Sequence, residues 1–271
     1  MKNIVSIFAL SLIIVSCSKS TTENTTVADS DSLKNDTIKN QLVVDSVALV
    51  DSMEISPLLT AKFDQNVLQL QGLKKIALDS IYKGELYDKG VPPYNYTKES
   101  ITEILQNRKK TYFDNTAKDN KEFQPQVKQT WDRISKMKVY SNQNDYLTIQ
   151  YTGYSYTGGA HGSSYELYRV IDLKTQKKIQ LSDIVDVDKV DWNAVLLKNL
   201  GKDYQGNLFE QDELSYNTNF YFDSEGITFV YNQYEIAAYV YGIIPIKVPY
   251  GDINAQLKND FKTQMGITAT N

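Results

Sequence analysis

Apolar and polar residues change rhythm several times along the chain, and each change predicts an element. From Trp131 the period is two: Met137 and Val139 point one way, Lys136, Lys138 and Tyr140 the other. Turn-forming residues at Asn142–Asp145 interrupt the run. Leu147, Ile149 and Tyr151 then resume it opposite Tyr146, Thr148, Gln150 and Thr152, which predicts an antiparallel hairpin. Tyr165, Leu167, Arg169 and Ile171 predict the next strand, turned back by Asp172–Gln176 into residues 178–181. Phe220 and Phe222, the turn Asp223–Gly226, and Ile227, Phe229 and Tyr231 form a second hairpin, with a further strand at Ile244–Val248. Val67–Leu70 is strand-like as well. Helical spacing appears three times. Ile101, Ile104, Leu105 and Tyr112 mark Glu99–Ala117, with Thr97 or Ser100 as N-cap and Glu103 completing a capping box. Trp192, Val195, Leu196 and Leu200 mark Asp188–Leu200, stopped by Gly201, and Ile253, Leu257 and Phe261 mark a last helix. Pro92-Pro93 is a turn. The expected class is α+β, a mostly antiparallel sheet with helices packed on one side.

The N-terminus has a different pattern. Ile4–Val15 is apolar but for Ser6 and Ser11, behind Lys2, yet its twelve residues fall short of the roughly 20 that span a bilayer, so it reads as a secretion signal. It ends Ile14-Val15-Ser16-Cys17, which resembles a bacterial lipoprotein box: cleavage before Cys17, then acylation of its thiol with palmitate-type chains. Ser18–Asn40 holds four apolar side chains among 23 residues and cannot bury enough surface to fold. As a flexible tether it reaches about 25–30 Å from the membrane. The expected layout is therefore a signal peptide at 1–16, lipidated cysteine and disordered linker at 17–56, an N-terminal α+β subdomain at 57–130 and a C-terminal α+β domain at 131–265. Ser18 and Lys19 suit sorting to an outer membrane, facing the periplasm.

Composition removes several functions. A net charge of −4 gives no basic face for nucleic acid. Cys17 is the sole cysteine, so no internal disulfide is expected. One histidine in 271 residues cannot build a recognisable zinc site, and no phosphate loop, dinucleotide fingerprint or nucleophile elbow occurs, so neither metal nor cofactor is expected. Asp186, Asp188 and Asp191 lack the glycine and alternation of a calcium loop and suit a helix N-terminus instead. Twenty tyrosines suit both strand packing and wet recognition surfaces.

The candidate site is the stretch Tyr151–Gly162. Gly158, Gly159 and Gly162 surround the lone His161, and Tyr154 and Tyr156 share a strand face. His161 has two readings: it pins the glycine turn through a backbone group, or it lines a ligand surface with Tyr154 and Tyr156. An enzymatic rival uses His161 as general base beside Glu166 or Asp172, for a carbohydrate or cell-wall substrate.

Tyr156-Thr-Gly-Gly-Ala-His-Gly162, Asp172-Leu-Lys-Thr with Ile179–Ile184, and Tyr234–Tyr239 with Gly242 and Val248-Pro-Tyr250 resemble an uncharacterised bacterial envelope domain. That domain is shared by the extracytoplasmic region of lysozyme-sensing anti-sigma factors and accessory regions of peptidoglycan deacetylases. The likeness covers about residues 130–260, and 57–130 resembles the domain that usually precedes it. The family often has glycine at the position of Gln176 and proline at that of Ala238. The cytoplasmic sigma-binding segment, the membrane helix and the metal-dependent deacetylase domain of those relatives are not expected here. The resemblance implies a lipid-anchored binding or sensing module, non-enzymatic, with peptidoglycan or a lysozyme-like protein as partner. A structural envelope protein without a ligand is the blandest alternative.

Overall fold

The computed structural model describes residues 42–268, apart from residues 88, 89, 91 and 94. The signal peptide, Cys17 and the tether up to residue 41 lie outside the described residues.

Two long strands open the fold, β1 (Val43–Ser56) and β2 (Leu59–Gln71), paired antiparallel from Val43↔Gln71 to Ser56↔Leu59. The linker expected to run to residue 56 therefore ends by residue 42. β1 is an edge strand with most side chains exposed and only Val47, Leu49 and Ile55 of its apolar residues partly buried, paired along one side with β2. A crossover of two helices, α1 (Lys75–Tyr82) and α2 (Lys98–Glu122), follows. It returns the chain parallel to β2 as β3 (Gln129–Gln143), the one parallel pair in the sheet. β4 (Tyr146–Tyr156), β5 (Ser163–Asp172) and the short β6 (Lys177–Lys178) complete six strands in sequential order. The subdivision expected at 130/131 would separate β2 from β3, which are hydrogen-bonded neighbours, so that boundary is no break in the fold.

The two faces of this sheet do different work. Leu147, Ile149, Tyr151 and Ile171 face α1 and α2, with Ile81, Tyr82, Ile101 and Leu105. Tyr146 and Val170 face the other way, into a second core with the C-terminal elements. Those are α3 (Leu181–Ile184), α4 (Trp192–Asn199), a sheet of β7 (Phe220–Phe222), β8 (Gly226–Tyr231) and β9 (Ile244–Pro249), then α5 (Tyr250–Ile253) and α6 (Asn259–Met265). The class is α+β with mostly antiparallel pairing; beyond the expectation, a second sheet joins the helices as a packing partner.

Local chemistry explains the junctions. Thr97 caps α2, its hydroxyl accepting from Ser100 N. Asn144 and Asp145 both have positive φ (53° and 61°), the two-residue turn that matches strand twist. Gln176, where relatives favour glycine, takes φ 59°, and its amide donates to Leu173 C=O while accepting from Lys74 N. The helix expected at 188–200 starts late, because Asp191 caps α4 through Ala194 N and Asp186 pairs with Lys189 in a preceding single turn. The last expected helix breaks into α5 and α6. Past Asn66, β3 no longer pairs with β2, and the buried Tyr82 hydroxyl takes its place, donating to Leu68 C=O (2.7 Å) and accepting from Leu70 N (3.1 Å).

Candidate functional site

Between β4 and β5 the chain makes the glycine turn. Gly158 and Gly159 have φ of +89° and +92°, where a side chain is strained. Gly158 also sits on the Trp131 indole, and a Cβ there would lie 3.2 Å from the ring. A Cβ on Gly162 would fall 2.4 Å from the Tyr154 ring, so the close approach of that ring needs glycine. Tyr156 donates its hydroxyl to Gly159 C=O (3.2 Å) and holds the turn from below.

His161 stands out from this turn. Its Nδ1 lies 2.9 Å from Gly162 C=O, and a carbonyl only accepts, so Nδ1 carries the proton. Nε2 is then the acceptor, 3.3 Å from the Tyr234 hydroxyl. The imidazole stacks on Tyr239 with centroids 3.8 Å apart at 23°, and Tyr234 lies 5.7 Å from Tyr239. Tyr234 is 57% exposed. Its φ is +65°, a left-handed conformation that is an outlier for so bulky a residue. The result is an aromatic shelf, His161–Tyr239–Tyr234, open to solvent along one edge of the glycine turn.

Side-chain amides bring these segments together. β6 covers only the end of β5. Along the rest of that edge, Ser164 N donates to Gln233 Oε1 (2.8 Å), Glu166 N to Asn232 Oδ1 (2.7 Å) and Tyr168 N to Asn219 Oδ1 (2.8 Å). Asn219 Nδ2 returns a bond to Glu166 C=O (2.8 Å). Three amides thus stand in for a missing strand, and two of them, Asn232 and Gln233, seat residues 232–239 beside the turn.

All six residues expected at the site are brought together here, in unequal roles. Tyr154 and Tyr156 share a face, but one packs on Gly162 and the other pins the turn. The first reading of His161 has its backbone bond, to Gly162 C=O, while the ring stacks on Tyr239 rather than beside Tyr154 and Tyr156. Tyr234 and Tyr239 were missed, although their segment carried the family likeness. The general-base arrangement is not formed. Asp172 is bound to Lys174 N, Thr175 N and the Thr175 hydroxyl at the far end of β5. Glu166 Oε1 accepts from Gln150 Nε2 (2.8 Å) and from the Tyr168 hydroxyl. Neither carboxylate is paired with the imidazole.

Residues 58–164 match the family model of deacetylase PdaC, and residues 172–251 match DUF3298, a protein family of unknown function. The two matches lie in series, the PdaC-like one first. The PdaC-like match ends, and the DUF3298 match begins, at opposite ends of β5, the strand whose edge the amides cover. A crystal structure of a DUF3298 family member from Bacteroides fragilis superposes with a TM-score of 0.64 at 21% identity, over 85% of this chain and 99% of that one. A DUF3298 family protein from Pseudomonas aeruginosa gives 0.53 at 17% identity, over 82% and 97%. At these identities the likeness establishes the fold. A search of curated proteins finds no match.

Proposed function

We propose that this chain is a lipid-anchored envelope module that binds without catalysis, contacting cell-wall glycan through the His161–Tyr239–Tyr234 shelf. The observation that carries the reading is Tyr234: its ring is exposed and its backbone is strained, so it serves neither the core nor the turn. The exposed Tyr234 ring, tilted 36° from Tyr239, offers a sugar face a stacking surface, and His161 Nε2 and the Tyr234 hydroxyl add hydrogen-bonding groups at the rim. The absence of a carboxylate paired with His161 favours binding over general-base chemistry. Anchorage through Cys17 at an outer membrane, and contact with a lysozyme-like enzyme seated on the same glycan, belong to this proposal.

The test is co-sedimentation of the protein with purified peptidoglycan, beside a Tyr234→Ala/Tyr239→Ala variant, with lysozyme offered in a separate arm. Losing two stacking rings at about 1 kcal/mol each predicts a retention roughly 30-fold weaker. Equal retention by both proteins, or none by either on glycan or lysozyme, overturns the reading.

A further inference from the structure

The protein contains 26 lysines and only three arginines, and all three arginines line one trough on the helix-facing side of the large sheet. Three adjoining hollows make it up. The first, about 420 Å3, lies between α2 and β2–β3 and is bordered by Arg108 and Arg133. The second, about 310 Å3, shares both of these and adds Arg169. The third, about 490 Å3, shares Arg169 and adds Lys83 and Lys178. Register places the ends far apart. Arg169 is opposite Ile149, which is opposite Val139, six residues along β3 from Arg133 and two strands away. Strand geometry makes that roughly 20 Å between Cα atoms.

These cations lack acids. Among the described residues none of the five makes an ion pair, whereas lysines elsewhere find aspartates readily. Among the described residues Glu85 is the one acid bordering the trough, so their lining carries an excess of positive charge in a protein of net charge −4. Lys178 is crowded as well: burial, with Arg169 and Lys83 beside it, pulls its pKa below the usual lysine value. Arg169 Nη1 already donates to Ser80 C=O (3.2 Å) and Ile81 C=O, with the guanidinium over the Tyr151 ring, but among the described residues no acid balances its charge. Cations without a counter-charge in a concave site call for an anion, and arginine in place of lysine suits the planar fork of a carboxylate.

The walls say which kind. Asn107, Thr111 and Asn115 border the first hollow at four-residue spacing along one face of α2. Gln65, 3% exposed, borders both it and the second hollow, and its Oε1 has no partner, so its amide is free to turn either end toward a guest. Such a row of amides and hydroxyl matches the alternating N–H and C=O of an extended backbone.

We propose that the trough binds an extended acidic peptide, its carboxylates on Arg108, Arg133 and Arg169 and its backbone against the polar row of α2. This site is separate from the aromatic shelf. The experiment is an NMR titration of the full-length protein with hexaglutamate, hexaglutamine, oligogalacturonate and pyrophosphate. Hexaglutamate should bind, with hexaglutamine about tenfold weaker or worse and an Arg108→Gln/Arg133→Gln variant weaker by a similar factor. Arg133 is exposed, and a melting temperature matching the parent's shows that the double variant folds. Lys178→Gln, at the far hollow, should cost a smaller factor, and Tyr234→Ala/Tyr239→Ala should leave hexaglutamate binding unchanged. No binding of hexaglutamate at millimolar concentration overturns the proposal. So does pyrophosphate or oligogalacturonate binding as tightly as hexaglutamate, since the trough would then read charge alone.

Discussion

Replacing Asn219 by alanine tests the claim that side-chain amides hold the second sheet against β5. The Asn219 carboxamide makes three bonds: it accepts from Tyr168 N (2.8 Å) and donates to Glu166 C=O (2.8 Å) and Val230 C=O (2.9 Å). Each is worth about 1 kcal/mol net, and an orphaned buried group costs more. Val230 C=O keeps a second donor in Asn217 Nδ2 (2.9 Å), which reduces the loss. The site is half-buried, so water replaces part of what remains. The expected destabilisation is about 2–3 kcal/mol, or roughly 4–12 °C in melting temperature for a domain of this size. Urea unfolding reads it well because the two tryptophans report on different regions: Trp131 on β3 under the glycine turn, Trp192 at the start of α4 in the core of the second sheet. With Trp131→Phe and Trp192→Phe backgrounds each core is followed separately. The Asn219→Ala midpoints should fall for both, and the Trp192 transition should come first. A loss below about 0.5 kcal/mol, with transitions still coincident, would refute the joint, leaving apolar packing to hold the two sheets.

Two further outcomes follow from the same structure. Gly226→Ala places a methyl 2.3 Å from Val248 C=O in the neighbouring strand, and backbone cannot swing aside as a ring can. A loss of about 3 kcal/mol or more is expected, measured by thermal melting, and a melting curve like the parent's would contradict the close approach of β8 and β9. Alkaline pH should unfold the protein through its buried tyrosines. Burial pushes Tyr82, Tyr112 and Tyr146 up from 10.0 to about 12, so between those values the folded state binds more protons than the unfolded one. Stability is intact below pH 10 and falls as pH rises through 12, with Tyr82 alone removing about 2 kcal/mol by that point. A urea midpoint that is flat from pH 9 to 12 would contradict this, and Tyr82→Phe should soften the slope.

Much of the fold was legible because period reports burial. The hairpins at Trp131–Tyr151 and Phe220–Tyr231 and the helix capped by Thr97 follow from alternation, turn residues and a cap, all of which act within a few residues. β1 was not legible. Only one side of this edge strand is half-buried, at Val47, Leu49 and Asp51, too short an alternation to mark a 14-residue strand until β2 is there to pair with it. The break between α5 and α6 was equally hidden, because Ile253, Leu257 and Phe261 keep helical spacing while Leu257 bonds across to the α3 region.

At the site, glycine and histidine types were enough to find the turn, since positive φ and a lone imidazole are properties of single residues. The sequence by itself determined the elements, the turn and the six residues clustered at it. Which faces meet is a long-range matter, and only the tertiary structure decided it. Tyr234 lies 73 residues from His161 in sequence yet shares a hydrogen bond with it, because Asn232 and Gln233 seat the later loop on the bare edge of β5. Arg108, Arg133 and Arg169 likewise come from α2, β3 and β5, and nothing local in the chain marks them as neighbours. Spacing along a strand or helix fixes which side a residue takes; only the packing of those sides against one another fixes what it meets.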